Sequence, residues 1–169
     1  MATQWNLDQS HSEITFKVRH MMISNVKGSF TNFNATMEAA DDTFKTAKVN
    51  ATIQTDSVNT NSADRDTHLK SEDFFNVEAN PQITFETDSL NNEITGNLTI
   101  NGVTKPVKLD VEFGGINVDP WGNTKAGFSF EGKIKRSDFG LNWNAALEAG
   151  GVMVSDDVKI AGELQFVKA

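Results

Sequence analysis

Residues Ile94–Leu109 read ITGNLTINGVTKPVKL. At the centre, Asn101-Gly102 is a dipeptide that favours a two-residue type I′ hairpin turn, because both central positions of that turn need positive φ. The turn fixes the pairing on either side. Ile100 faces Val103, Leu98 faces Lys105, Gly96 faces Val107, and Ile94 faces Leu109. Every partner but one is apolar or glycine, so this register buries a continuous face. Lys105 is the exception, a cation expected on the inward face near the hairpin tip.

The same period-two alternation extends outward in both directions, the signature of half-buried strands. Upstream, Ile83, Phe85 and Thr87 alternate after the Asn80-Pro81 break. Ala47, Val49, Ala51 and Ile53 are in phase within Lys45–Thr55, as are Phe33, Ala35 and Met37 within Lys27–Ala39. Asp41-Asp42 marks the turn between these two. Nearer the start, Ile14, Phe16 and Val18 share one face of Glu13–Arg19. Downstream, Gly114-Gly115 is expected to end the hairpin's second strand, and Asp119–Asn123 makes another turn. Ala126, Phe128, Phe130, Gly132 and Ile134 then alternate, and Val158, Ile160, Gly162, Leu164 and Phe166 do so in the last strand.

Two polar residues inherit the inward parity. His20 follows Val18, and a hydrogen-bonded core histidine is its simpler reading. Arg136 follows Ile134 and needs a partner if buried, either Asp138 or the anionic head of a ligand. Met21, Met22 and Ile23 break the alternation and suggest a short helical turn closing one end of a core, with methionine as an adaptable lining.

About eight strands joined mostly by short turns, without βα repeats, indicate an all-β antiparallel architecture. Eight such strands can close into a barrel with room for one small ligand. A two-sheet sandwich fits the alternation equally well.

One stretch stands apart: Asn59–Phe75, NTNSADRDTHLKSEDFF. Cap-type residues lead into about two turns of helix from Ala63. On that helix Arg65 and Leu69 share a face with His68 beside them, and Asp66 and Lys70 pair on another. With Phe74 and Phe75 following, the stretch suits a lid with an apolar underside and a cationic edge. Taken alone, a surface connector is the simpler account.

The totals narrow the function. A chain of 169 residues with no internal repeat or Pro/Ser-rich linker fits one domain, residues 1–169. A net charge of -8 repels a phosphate backbone overall, which argues against nucleic acid as a partner. The absence of cysteine rules out disulfides, thiolate nucleophiles and cysteine metal sites. Twelve Phe and no Tyr leave most of the aromatic area without a polar handle, as suits a dry interior or an apolar ligand surface. The opening residues contain no secretory leader, so a cytoplasmic location is expected, or a periplasmic one if a leader preceded Met1.

Catalysis finds little support. His11, His20 and His68 lack metal-ligand spacing, and Ser10-His11-Ser12 lacks a nucleophile-elbow context. No metal and no cofactor are expected. Arg65 and Arg136 stand beside or near Asp66 and Asp138, where salt bridges explain them at least as well as acid–base chemistry does. The enzymatic alternative is a hydrolase of an isoprenoid or ester substrate using His68 with Asp66.

Five blocks nevertheless point in one direction. WNLDQSHSEITFKVRHMMISNVKGSF, NTNSADRDTHLKSEDFFNVEANPQITF, GNLTINGVTKPVKLDVEF, KIKRSDFGLNW and VSDDVKIAGELQF resemble, in order and across nearly the whole chain, the YceI-like family of lipid-binding proteins. The resemblance implies an extended eight-stranded, lipocalin-like antiparallel β-barrel with a short helical insert. Its hydrophobic pore would bind, without catalysis, a polyisoprenoid or other long-chain lipid such as an isoprenoid quinone or a polyprenyl diphosphate. It also implies a homodimer, and lipid exchange implies transient membrane contact. On this reading the pore is lined by Phe16, Val18, Phe85, Leu98, Ile100, Phe128 and Phe130. Met21, Met22, Leu69, Phe74, Phe75 and Trp143 form the mouth and lid, and Arg65, His68, Lys105 and Arg136 meet the polar head.

Overall fold

The Asn101-Gly102 turn forms with φ of 55° and 75°, the double positive that type I′ requires. It joins β8 (Glu93–Ile100) to β9 (Val103–Val118), and all four pairings anticipated across it occur. The protein is seen in a computed structural model that describes residues 2–21, 23–141 and 154–169.

Among the described residues, nine further strand segments complete the wall. They are β1 (Thr3–Leu7), β2 (Glu13–His20), β3 (Ser24–Phe30), β4 (Phe33–Ala39), β5 (Lys48–Gln54), β6 (Val58–Asn59), β7 (Gln82–Thr87), β10 (Thr124–Lys135) and β11 (Val154–Lys168), with one helix, α1 (Ala63–Lys70). β1 and β2 form one stave bent by a 3-10 turn at Gln9–His11. β3 and β4 form another, bent at Thr31-Asn32, and β5 with β6 a third, interrupted at Thr55–Ser57. Three two-part staves and five single strands make a closed eight-stranded antiparallel barrel. The seam is sealed by β11, which pairs with β2 around Val158↔Val18 and with β1 around Leu7↔Phe166.

Three local expectations are corrected. The Lys27–Ala39 run is two segments, because the stave must bend to follow the barrel. Gly114-Gly115 does not end β9. Gly115 pairs with Gly127 while Phe113 pairs with Phe128, so Gly114 is the extra residue of a bulge and the strand continues to Val118. Nor does the expected helical turn start at Met21. The register Arg19↔Asn25 and His20↔Ser24 leaves only three residues to reverse the chain. Met21 takes φ 53°, and Ile23 N–H donates to His20 C=O at 3.2 Å.

The two ends of the barrel differ. At one end the β4–β5 loop folds inward and delivers Phe44, which meets Trp5 at 5.4 Å and Phe113 and Phe128 at 5.2 Å, centroid to centroid. Phe128 also meets Phe166 edge-on at 6.0 Å. These rings plug that end. The other end carries the β2–β3 and β8–β9 turns, α1 with the residues that follow it, and residues 136–141 beyond β10.

Between the ends, large side chains coexist with a hollow because of where glycine falls. Phe16 pairs across strands with Gly28, and Phe130 with Gly162. A Cβ on Gly28 would lie 2.3 Å from the Phe16 ring, and one on Gly162 would lie 2.4 Å from Phe130. Phe85, which pairs directly with Leu98, lies over the diagonal Gly96, where a Cβ would be 2.2 Å from its ring. Each ring therefore occupies the space left by the missing side chain on the neighbouring strand and lies along the wall, away from the axis.

Candidate functional site

The hollow is a cavity of about 530 Å³. Phe16, Val18, Phe85, Leu98, Ile100, Phe128 and Phe130 all line it, as the alternation predicts. The strand pattern also supplies lining that the sequence reading left out, including Val49, Ile53, Val107, Leu109, Leu164 and Phe166. Among the described residues, charged and imidazole groups reach the cavity only from the end opposite the plug: His20, Asp64, Arg65, His68 and Arg136.

The helical lid forms where expected. Ser62 caps α1, its hydroxyl accepting from Arg65 N–H at 3.4 Å. The Leu69 carbonyl accepts from Phe75 N–H at 3.0 Å, which reverses the chain after the helix. Leu69, Phe74 and Phe75 line the cavity. Phe75 seats the lid by meeting Phe30 edge-on at 5.9 Å.

Thr60, buried just before α1, fastens the helix to the barrel. Arg65 Nε donates to Thr60 Oγ1 at 2.8 Å, and Arg65 Nη2 to the Thr60 carbonyl at 2.6 Å. Asp66 Oδ1 accepts from the Thr60 N–H at 2.9 Å and from its hydroxyl at 2.6 Å. Asp66 is thereby committed to the fastening. It makes no ion pair with Lys70, and the His68–Asp66 pair a hydrolase would need does not form. His68 Nε2 instead meets Asp73 Oδ2 at 2.8 Å, with its ring edge-on to Phe74 at 5.0 Å.

Arg136 is inward and buried, as its parity implied, but Asp138 is not what satisfies it. The guanidinium donates to the carbonyls of Ser155 at 2.9 Å, Leu141 at 2.6 Å and Val154 at 3.2 Å. It therefore clamps the chain on both sides of residues 142–153. Burial pulls its pKa below the ordinary arginine range, and the Asp156 carboxylate pushes it back up. Burial would raise the Asp156 pKa, but bonds from the Ser137 hydroxyl and N–H and the charge of Arg136 hold it below the usual carboxylate value.

His20 faces the cavity at the end of β2 and is half-buried. Among the described residues no group bonds its ring, so it is not the bonded core histidine expected. The strand ends at the rim, and the ring looks into the hollow. Two expected site residues are absent from the wall. Lys105 has the inward parity but is exposed, because it lies where the barrel rim gives out and its long stem carries the ammonium to water. Met21 is 40% exposed in its tight turn. Met22 and Trp143 lie outside the described residues. Among the described residues no group of three or more His, Asp or Glu is placed to hold a metal ion.

The YceI-like domain model matches residues 5–166. A UPF0312 protein of Staphylococcus epidermidis is 42% identical over 166 residues, covering 97% of each chain. A Staphylococcus aureus counterpart is 43% identical with the same coverage. Among solved structures, the Campylobacter jejuni YceI protein superimposes with a TM-score of 0.74 at 36% identity, over 89% of this chain and 90% of that one. A polyisoprenoid-binding domain from Saccharophagus degradans shares the fold at TM-score 0.73 and 15% identity, over 98% of each chain.

Proposed function

The chain belongs to the YceI-like family, and from that premise we propose that it binds and carries a single polyisoprenoid-type lipid without transforming it. The tail threads toward the aromatic plug and the polar end stays near the lid. The observation that carries this reading is the one-ended chemistry of the cavity, hydrocarbon along its length with His20, Asp64, Arg65, His68 and Arg136 gathered at one end. A ligand with one apolar tail and one polar head matches that axis. The Saccharophagus neighbour, a polyisoprenoid-binding domain, supports the same class.

Size and energetics agree. The cavity falls within the roughly 300–1,000 Å³ range of small-ligand pockets, which suits one chain. Each buried CH₂ contributes about 0.8 kcal/mol against an association cost of about 4–15 kcal/mol, so affinity comes from tail length. Arg65, Arg136 and His68 are already bonded within the protein, so the group best placed to meet a head is the His20 ring. A hydrolase is less well supported, because the Asp66 it would use is occupied by Thr60.

Native mass spectrometry of gently purified protein tests the proposal. A retained adduct of lipid mass is expected, or uptake of geranylgeraniol by lipid-stripped protein. Protein that stays at its bare mass in both experiments would overturn it. Release of phosphate from added geranylgeranyl diphosphate would replace carriage with turnover.

A further inference from the structure

The outer wall carries a pattern that the cavity does not use. Lys27 on β3 is paired directly with Lys17 on β2, Lys17 with Lys159 on β11, and Lys159 with Lys133 on β10. Four lysines thus stand side by side across four neighbouring strands. At the usual strand spacing of about 4.8 Å, the row spans about 14 Å. Their inward neighbours Phe16, Val26, Ile134 and Ile160 line the cavity, so the lysines project outward. Arg19 and Lys135 extend the patch toward the open end. It gathers six of the chain's 15 basic residues, although the chain as a whole carries -8.

Like charges placed directly opposite one another destabilise a sheet, and this row contains three such pairings in succession. Within the patch, Asp157 meets Lys133 at 3.6 Å. Asp156, bonded to Ser137, sits at the open end beside Lys135, whereas Glu131, paired with Asp110, and Glu13, paired with Glu163, lie toward the plugged end. The arrangement works against folding and concentrates positive potential beside the lid. A second feature shares the same hairpin. The turn joining the strands that carry Lys17 and Lys27 presents Ile23 at 77% exposure and Met21 at 40%. Basic residues flanking an exposed apolar tip are the chemistry of a protein seated in an anionic lipid interface.

We propose that the lysine row on β10, β11, β2 and β3 docks the barrel onto an anionic phospholipid bilayer, with the β2–β3 turn entering the headgroup layer and the open end held against the membrane. The proposal deepens the lipid-carrier reading, since a cavity that exchanges a membrane lipid must bring its mouth to the bilayer. The row itself lies outside the cavity. Because the whole molecule is acidic, attachment depends on orientation and is weak at high salt, where screening shortens the reach of the row.

Co-sedimentation of the full chain with vesicles tests this, comparing phosphatidylcholine alone with phosphatidylcholine mixed with phosphatidylglycerol. Binding to the mixed vesicles only, released by added salt, is expected. The double variant Lys17→Gln with Lys159→Gln should bind the mixed vesicles about tenfold more weakly or worse. Lys48→Gln with Lys108→Gln, equal in charge change but elsewhere on the barrel, should bind like the parent. Ile23→Ser should weaken binding by a smaller factor. No attachment to mixed vesicles, or equal losses in both double variants, would overturn the proposal. So would a row-variant deficit seen with an oligonucleotide or an acidic protein but not with vesicles. Native mass spectrometry on the same samples separates the two ideas. Vesicle binding by protein that never holds lipid would sink the carrier reading alone, whereas lipid-loaded protein that ignores vesicles would sink the docking alone.

Discussion

The two ends of the barrel are closed by different chemistry. At the plugged end, Trp5, Phe44, Phe113, Phe128 and Phe166 meet ring against ring, and Trp5, Phe44 and Phe166 are almost fully buried. At the lid end, α1 is fastened mainly by hydrogen bonds to Thr60 and by the seating of Phe75 on Phe30. Ring packing costs several kcal/mol to undo, whereas a typical hydrogen bond contributes about 1 kcal/mol net. The plugged end is therefore the costlier of the two to open, and on the proposed carrier reading that asymmetry sets the direction of entry.

The contrast breaks most visibly at Phe44. Phe44→Ala removes the ring that joins Trp5 to Phe113 and Phe128, and should destabilise the protein by about 3–5 kcal/mol in urea unfolding. If it cost no more than a lid substitution, the plug would not be the rigid end. Next in size is Gly28→Ala, which probes the hollow itself. The new methyl would meet the rim of the Phe16 ring and no backbone atom among its nearest neighbours, so the ring must swing toward the axis. Overpacking of this kind costs about 1–3 kcal/mol. The folded variant should retain much less lipid by native mass spectrometry, and unchanged retention would mean that the ring does not border the bound chain.

The features that follow from period-two alternation were legible in the sequence. The hairpin at Asn101-Gly102, the inward set from Phe16 to Phe130 and the inward turn of Arg136 all follow from parity, because the side-chain period of a strand is fixed by its backbone. What escaped depends on contacts between distant segments. Phe44 sits in a polar loop, DDTFKTA, with no periodic context to mark it as the plug. Nothing local tells Asp66 to bond Thr60 instead of pairing with His68, since that choice is made by how α1 docks. Lys105 shows where parity stops being informative. At a rim, the same face that buries Leu98 leaves a long side chain free to reach water.

The lid offers the next test. Thr60→Val keeps the side-chain shape but removes the hydroxyl that Arg65 and Asp66 share, and should cost about 1–3 kcal/mol. Its larger consequence should be kinetic. Bound lipid should exchange faster with added geranylgeraniol, while the plugged end stays as resistant to proteolysis as in the parent. Slower or unchanged exchange would show that the polar fastening does not control entry.

The smallest expected effect lies outside the plug, where electrostatics reinforces what packing has already closed. Lys125 Nζ reaches Asp8 Oδ2 at 2.9 Å and Asp119 Oδ2 at 3.8 Å, tying β10 to the chain just beyond β1. The bond from Lys125, with help from the Ser10 hydroxyl and His11, holds the Asp8 carboxyl far below the usual carboxylate range. A carboxylate depressed in the folded state stabilises it at any pH above the unfolded pKa, about 3.9 for aspartate. That contribution fades as the pH falls from there toward the folded value. Asp8→Asn should therefore be less stable than the parent at neutral pH, and the difference should shrink in unfolding titrations carried below about pH 4. If the difference instead held constant into acid, the Asn variant would be losing packing and not charge, and the plugged end would owe its closure to its rings alone.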